Sequence, residues 1–289
     1  MIGAVTYFWN RTTNNFHLPC GMIGMSLLDV AAITGLPINF SDCTPDMQPE
    51  RHYNIVLSTS YSEFIAQNMG VEGTVVTNDE HVAFLFYWLN VIIFCSQSVQ
   101  MSKFFLPLAA LLHEGKALNL VKLLLEHIFE ELGQFVHCLR DNCIISTGGP
   151  LWLLQLWLNP GGSGTDKHHI EGFRLAAYKP NFPNTQSDED RFWTIFSLFH
   201  SCKDFYNDNL NFTPFMRHNC GPAWLANRNW TNLLAVQIIP TGLPQHKKER
   251  FKVTLYAPHF TARQLEFSQV IPSPLPQNSD PFCHITLTS

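Results

Sequence analysis

Between Asn78 and Leu158 the chain carries one apolar segment after another at helical spacing, and this stretch limits the possible folds most strongly. Its clearest segment covers residues 117–136, where leucine and isoleucine recur three or four positions apart and lysine and glutamate fill the intervening positions. A helix with about 3.6 residues per turn places such apolar residues on one face. The pattern predicts a core-facing amphipathic helix within an all-helical central region.

Polar residues mark where several of these helices begin. Thr77 and Glu80 have the spacing of a capping box, in which both side chains bind amides that a helix N-terminus leaves unpaired. Ser187 and the three carboxylates after it favour a helix start in the same way, and Pro150 suits a first helical turn. The expected helices cover residues 25–37, 60–69, 82–95, 117–136, 151–158, 191–202 and 261–267, with another near Pro107.

The longest apolar run extends from Val82 to Cys95 and is interrupted by Asn90. A helix needs roughly 18 to 20 apolar residues to cross a bilayer, and this run is shorter. We therefore expect a buried helix here and not a membrane anchor.

The periodicity changes late in the chain. Residues 234–239 and 251–256 have strand character and are joined across Pro240, Pro244 and a basic run. The prolines after residue 271 predict an exposed tail over residues 272–289. We expect a mainly α fold: one helical domain over residues 1–271, with a small antiparallel β-hairpin near its C-terminal end, followed by the flexible tail.

The charge distribution argues against a protein that attracts nucleic acid from a distance. The formal net charge is −5 and the pI is about 6.2, so nucleic-acid binding would need a local basic patch. Lys247, Lys248 and Arg250 form the one candidate patch, for phosphate contacts or for nuclear targeting. A solvated hairpin loop is the simpler interpretation.

The eight cysteines are scattered, and no signal-peptide pattern precedes them, so we expect reduced thiols in the nucleus or the cytoplasm. His200, Cys202, His218 and Cys220 offer the two nitrogen and two sulfur donors of a tetrahedral zinc site. Their spacing is not that of a standard zinc finger, and buried cysteine is common as a small apolar residue. A zinc-supported nucleic-acid module therefore stays an alternative to isolated core and surface residues.

A pyridoxal phosphate enzyme is a second alternative. Lys116 could form the Schiff base, and Gly148 and Gly149 ahead of a helix could hold the phosphate. That chemistry usually rests on alternating strands and helices, which this region lacks. We therefore interpret the glycines as a helix entry and Lys116 as a solvated linker residue, and we expect no catalytic residue and no cofactor.

Three stretches follow one another in a distinctive order. They are Phe-His-Leu-Pro-Cys-Gly at 16–21 with the helix at 26–37, the segments 80–85 and 148–157 of the central helices, and 256–259 with 262–272 near the end. In this order they resemble the plant mobile domain family, also described as "aminotransferase-like". The closing element has Glu266 where the family usually has glycine, and the chain begins just before the opening motif, so it could be a fragment of a longer element protein.

The resemblance implies a function without enzymatic activity. The family occurs in transposable elements and in host proteins related to MAINTENANCE OF MERISTEMS, which act in gene silencing, genome stability and meristem maintenance. Those relatives are nuclear and associate with a phosphatase-7-like partner, and no catalytic residues are established for the family. We therefore expect a nuclear interaction scaffold, with the cytoplasm as the alternative location.

Overall fold

The computed structural model describes residues 2–19, 21–38, 40–43, 47–58, 60–95, 101–143, 148–158, 187–201, 236–240, 251–258 and 283–285. Within these residues the protein is mostly helical, which confirms that part of the predicted fold class. The helices are α1 (Ile2–Thr6), α2 (Leu27–Thr34), α3 (Tyr61–Asn68), α4 (Asn78–Trp88), α5 (Leu106–His113), α6 (Leu120–Asp141), α7 (Leu151–Leu158) and α8 (Asp188–Ser201). The strands are β1 (Trp9–Asn10), β2 (Asn15–Leu18), β3 (Gly21–Ile23), β4 (Gln237–Pro240), β5 (Phe251–Tyr256) and β6 (Cys283–Ile285).

A small antiparallel sheet of β1, β2 and β3 lies near the N-terminus. Phe16 is at its centre, opposite Trp9 on one side and Ile23 on the other, and all three side chains are buried. From the sequence we expect residues 10–15 to form a turn between short extended pieces, so the sheet adds to the predicted fold class. Strands of two to four residues are too short to display an alternating pattern.

Helix α2 begins and ends with well-defined caps. The Ser26 hydroxyl accepts a hydrogen bond from the Asp29 amide (3.3 Å), and the Asp29 carboxylate accepts one from the Ser26 amide (2.7 Å). Gly35 ends the helix with φ at +68°, a conformation that is unfavourable for residues with a Cβ atom. These caps fix the position of Asp29 at the start of the helix.

Helix α4 begins at the predicted capping box. The Thr77 hydroxyl accepts from the Glu80 amide (3.2 Å), and the Glu80 carboxylate accepts from the Thr77 amide (3.4 Å). A π-helical turn over Leu89–Ile93 continues the helix, so the apolar run is helical as expected.

The prediction that this run is buried is wrong for one of its faces. Val82 and Phe86 are fully buried, whereas Phe84 and Ile92 are 60% and 53% exposed. Apolar residues fill almost every position of this run and hide the difference, because periodicity then no longer separates the two faces of the helix.

Helix α6 forms the centre of the core. It is 22 residues long and buries a continuous set of leucine, isoleucine and phenylalanine side chains, including Leu124, Leu125 and Ile128. The segment before α7 passes close to it at Gly149, where the Glu131 side chain occupies the space that a Cβ atom would need. The Gly149 amide also donates to the Cys95 carbonyl oxygen (2.8 Å), which ties α7 to the end of the α4 region.

Helix α8 packs against the N-terminal segment through aromatic rings. Phe196 stacks on Phe8 with ring centroids 5.3 Å apart, and Tyr7 meets Phe192 and Phe196 edge-on. Ser187 caps the helix by accepting a hydrogen bond from the Asp190 amide (3.1 Å). The predicted helix start is therefore present.

A second sheet consists of β4, β5 and β6. β4 and β5 pair antiparallel, with Gln237 opposite Tyr256, close to the positions expected for the hairpin. β6 pairs parallel to β5 and lies within the segment that the sequence analysis assigns to the tail. The connection over residues 241–250 is outside the described residues, as is the helix expected near residues 261–267.

None of the helices in the described ranges combines the length and the apolar character that crossing a membrane requires.

Candidate functional site

Of the four predicted zinc ligands, only His200 is among the residues that the structure describes. His200 lies near the end of α8, is exposed and stacks on Phe196 with centroids 6.1 Å apart. Cys202, His218 and Cys220 lie outside the described residues, so the zinc hypothesis stays a prediction. The ranges that are described contain no group of three or more histidine, cysteine, aspartate or glutamate side chains suited to hold a metal ion.

The basic patch is also outside these ranges. Lys247, Lys248 and Arg250 belong to the connection between β4 and β5. Their proposed contact with phosphate or a transport receptor stays a prediction.

The residues considered for pyridoxal phosphate do not form one site. Lys116 precedes α6 and its Nζ atom binds the Glu50 carboxylate (2.9 Å). Gly149 contacts α6 at Glu131, about 11 residues and therefore roughly 16 Å beyond the start of that helix at Leu120. The candidate lysine therefore lies before the first turn of α6, whereas the candidate phosphate loop lies beside a turn roughly 16 Å further along the helix axis.

A buried polar junction connects distant parts of the chain around Asp29. Its carboxylate accepts hydrogen bonds from the Ser26 amide (2.7 Å) and the Ser26 hydroxyl (2.6 Å). The next amide, that of Leu27, donates to the hydroxyl of Tyr256 (3.2 Å). The Trp157 side chain also interacts with the Asp29 carboxyl, and its ring stacks on Phe16 with ring centroids 6.1 Å apart. We call these residues the Asp29 junction.

Electrostatics in the junction follow from its burial. Burial raises the pKa of Asp29 from 3.8 to about 6, although the hydrogen bonds from Ser26 and the interaction with Trp157 act in the opposite direction. Burial also raises the pKa of the Tyr256 hydroxyl, and the neighbouring carboxylate adds to that effect. The Asp29 carboxyl is buried, and its hydrogen bonds cap the start of α2. The arrangement therefore joins α2 to α7 and β5 and does not present an acid to a substrate.

A second polar contact joins α6 to the C-terminal sheet. Glu126 is 1% exposed and accepts a hydrogen bond from the Thr254 hydroxyl (3.2 Å). Its other oxygen lies 3.1 Å from Nδ1 of His127, whose ring packs edge-on against Phe94. A buried carboxylate is costly unless it has such partners. The contact therefore favours one fixed position of β5 on α6.

In the sequence, Asp29 lies within the helix at 26–37 that forms part of the family resemblance, and no separate role is predicted for it. The spacing of Ser26 and Asp29 is itself a helix-start pattern and could have identified the cap. The partners Trp157 and Tyr256 could not be found in this way, because nothing in a single sequence pairs residues so far apart.

An exposed apolar surface lies beside α4. Its members are Met69 (69% exposed), Val71 (77%), Val75 (91%), Val76 (62%), Phe84 (60%) and Ile92 (53%). Phe84 and Ile92 are two helical turns apart with half-buried Trp88 between them, so they share one face of the helix. The Gly70 amide donates to the Glu80 carboxylate (2.9 Å) and holds the preceding loop against α4. We call this set the α4 surface.

The charged residues of the segment that contains the α4 surface are acidic. Residues 52–102 contain no lysine and no arginine, but they include Glu63, Glu72, Asp79 and Glu80. Large exposed apolar groups with charge of one sign around them are typical of a surface that binds another protein. A matching partner would offer apolar side chains flanked by positive charge.

Two histidines missed by the sequence analysis meet at the edge of this surface. Nδ1 of His81 on α4 lies 2.7 Å from Nδ1 of His113 at the end of α5. Beside them, the Glu114 carboxylate accepts hydrogen bonds from the Glu50 amide (2.9 Å) and the Tyr53 hydroxyl (3.2 Å). Helical periodicity gives no sign of this contact, because the two residues are on different helices.

Comparison with known proteins identifies the chain at the level of its family. The model of the plant mobile domain matches residues 1–160, which is more than half of the 289 residues. No curated protein and no solved structure matches the chain. The match includes α1 to α7 and two of the three stretches noted above, whereas the third stretch and the predicted boundary at residue 271 lie beyond it. The chain belongs to the plant mobile domain family, a transposon-related family of domains.

Proposed function

We propose that this protein is a non-enzymatic interaction scaffold that acts in the plant nucleus, in gene silencing, genome stability or meristem maintenance. The observation that carries the proposal is the α4 surface, where Val75 is 91% exposed and Phe84 is 60% exposed. Apolar groups of this size gain free energy when a partner removes them from water, by about 25 cal/mol per Å². They are therefore better explained by a partner than by an isolated protein.

The family supports the proposed setting. The resemblance described above implies host relatives that are nuclear and associate with a phosphatase-7-like partner, and this chain has the domain of that family. We propose a partner of that kind, which would bind through apolar side chains with positive charge around them. Direct nucleic-acid binding is not required by this function, and neither is a cofactor.

The test is affinity purification from plant nuclei with two matched variants. The first carries Val75→Ser, Val76→Ser and Phe84→Ser and removes the centre of the α4 surface. The second carries Leu156→Ser, which changes another exposed apolar residue, 49% exposed, on α7. We expect the wild-type protein and the Leu156→Ser variant to recover the same phosphatase-like or chromatin partner, and the triple variant to lose it.

Two results would contradict the proposal. The first is recovery of the same partner by the triple variant, because binding would then not depend on the α4 surface. The second is a wild-type protein that enriches no partner over a tag-only sample and stays outside the nucleus.

A further inference from the structure

The contact between His81 and His113 is unusual because each ring approaches the other through its Nδ1 atom. Their Nδ1 atoms are 2.7 Å apart, their ring centroids are 5.0 Å apart and the ring planes are inclined by 66°. A hydrogen bond between two imidazoles requires a proton on one Nδ1 atom and a lone pair on the other. When both neutral rings carry their proton on Nε2 instead, the two Nδ1 lone pairs are free and converge on one point.

We propose that His81 and His113 form a binding site for a divalent transition-metal ion such as Zn²⁺, Ni²⁺ or Cu²⁺. A metal ion lies about 2.0 to 2.1 Å from a histidine nitrogen, so two neighbouring ligands of one ion are about 2.9 to 3.4 Å apart. The pair therefore needs to open by only a few tenths of an ångström. His81 is exposed, which gives the ring freedom to turn and gives the ion access.

The surrounding charges favour a cation. Asp79 and Glu80 directly precede His81, and Glu114 directly follows His113. Two basic residues belong to the same region: Lys116 binds Glu50 (2.9 Å), and Arg51, whose amide donates to Glu114, is exposed. Asp79, Glu80, Glu114 and Glu50 outnumber them. The potential at the pair is thus set mainly by carboxylates.

The protein also holds the two ligands in place. His113 ends α5 and His81 lies in the first turns of α4, and these two helices pack closely together. The Tyr53 ring meets the His113 ring edge-on at 5.3 Å, and its hydroxyl donates to Glu114. Such contacts limit the positions that the His113 ring can adopt, which lowers the entropy lost on metal binding.

The site has two protein ligands and is open. Among the described residues no third histidine, cysteine or carboxylate completes a cluster with this pair, so further coordination positions are open to water or to another donor. This differs from the closed four-ligand site considered at His200. A metal ion here would bridge α4 and α5 next to the α4 surface.

The test uses the full chain and Ni²⁺ alone as the probe, because nickel binds imidazole well. Equilibrium dialysis compares the wild-type protein with His81→Gln, His113→Gln and the control His137→Gln. His137 is a good control because it is a half-exposed histidine that binds Asp141 on α6, away from the pair. We expect each variant of the pair to bind one equivalent fewer than wild type, and the control to bind as wild type does.

Thermal unfolding gives a second measure. Ni²⁺ should raise the unfolding temperature of the wild-type protein and of His137→Gln, and this rise should be lost in His81→Gln and in His113→Gln. Equal nickel stoichiometry and an equal temperature rise in wild type and in a folded variant of the pair would overturn the proposal.

A third measurement uses only the wild-type protein, so it tests the metal site even if both substitutions prevent folding. In wild-type protein with isotope-labelled histidine, paramagnetic Ni²⁺ should broaden two ring signals at the lowest metal concentrations. Broadening of all histidine signals together would overturn the proposal.

Discussion

The Asp29 junction and the α4 surface both contain large apolar side chains, but those side chains have different surroundings. In the junction, Trp157 is stacked on Phe16 and lies next to a carboxylate that is fully enclosed. On the α4 surface, Val75 and Phe84 face water and are 91% and 60% exposed. The comparison separates residues that stabilise the fold from residues that are available to a partner.

The largest expected effect is in the junction. Trp157→Ala should lower the free energy of unfolding by about 3 to 5 kcal/mol, because it removes a buried ring and leaves a cavity beside Phe16. Denaturant unfolding measures this loss. The neighbouring substitution Leu156→Ala is the control and should cost less than about 1 kcal/mol, since Leu156 is half exposed. Similar losses for both would show that Trp157 is not a central contact.

The second prediction concerns pH. The folded pKa of Asp29, about 6, lies above its ordinary value of 3.8, so in this window the folded protein binds more protons than the unfolded chain. Stability should therefore fall as the pH rises from about 4 to 6, by about 2 to 3 kcal/mol from this carboxyl. Asp29→Asn should remove that part of the pH dependence in denaturant titrations.

Asp188→Asn serves as its control, because Asp188 is fully exposed at the start of α8. This variant should keep the pH dependence of the wild-type protein. A wild-type stability that rises between pH 4 and 6, relative to Asp29→Asn, would mean that Asp29 is ionised more easily in the folded state than its burial indicates.

A smaller effect is expected where the C-terminal sheet meets α6. Thr254→Val keeps the side-chain shape but removes the donor to buried Glu126, and we expect a loss of about 1 to 2 kcal/mol. Chemical unfolding measures it. Thr194→Val on the exposed face of α8 should stay within about 0.5 kcal/mol of wild type. If the two variants were equal, the hydroxyl of Thr254 would have no special role in fixing β5.

The smallest effect is expected on the α4 surface. Val75→Ser combined with Val76→Ser should change the free energy of unfolding by less than about 0.5 kcal/mol, because both side chains are already in water. Thermal or chemical unfolding measures the change. A loss above about 1 kcal/mol would place these valines in the core and would remove the distinction between the two regions.

Local signals explain which parts of the fold were predictable. Thr77 and Glu80 define a helix start through contacts three residues apart, and Ser187 does the same, so their helices follow from the sequence. The short strand around Phe16 has too few residues to show a pattern. The exposure of Phe84 is equally hidden, because apolar residues fill almost every position around it.

The site is less predictable than the helices because its contacts are distant in sequence. Leu27 and Tyr256 are separated by 229 positions, and His81 and His113 by 32 positions on different helices. Neither periodicity nor capping relates such residues. The zinc and phosphate hypotheses at His200 and Lys247 were built on local spacing alone, and most of their residues are outside the described ranges.

The bond between Leu27 and Tyr256 has a consequence for how the protein is made. A ribosome adds about 5 to 20 residues per second, so the 229 positions between them take about 11 to 46 s to synthesise. During that time α2 has emerged, but the tyrosine that completes its surroundings has not. The nascent chain thus exposes the apolar residues next to Asp29 for many seconds, and this interval is when a chaperone has the most opportunity to bind it.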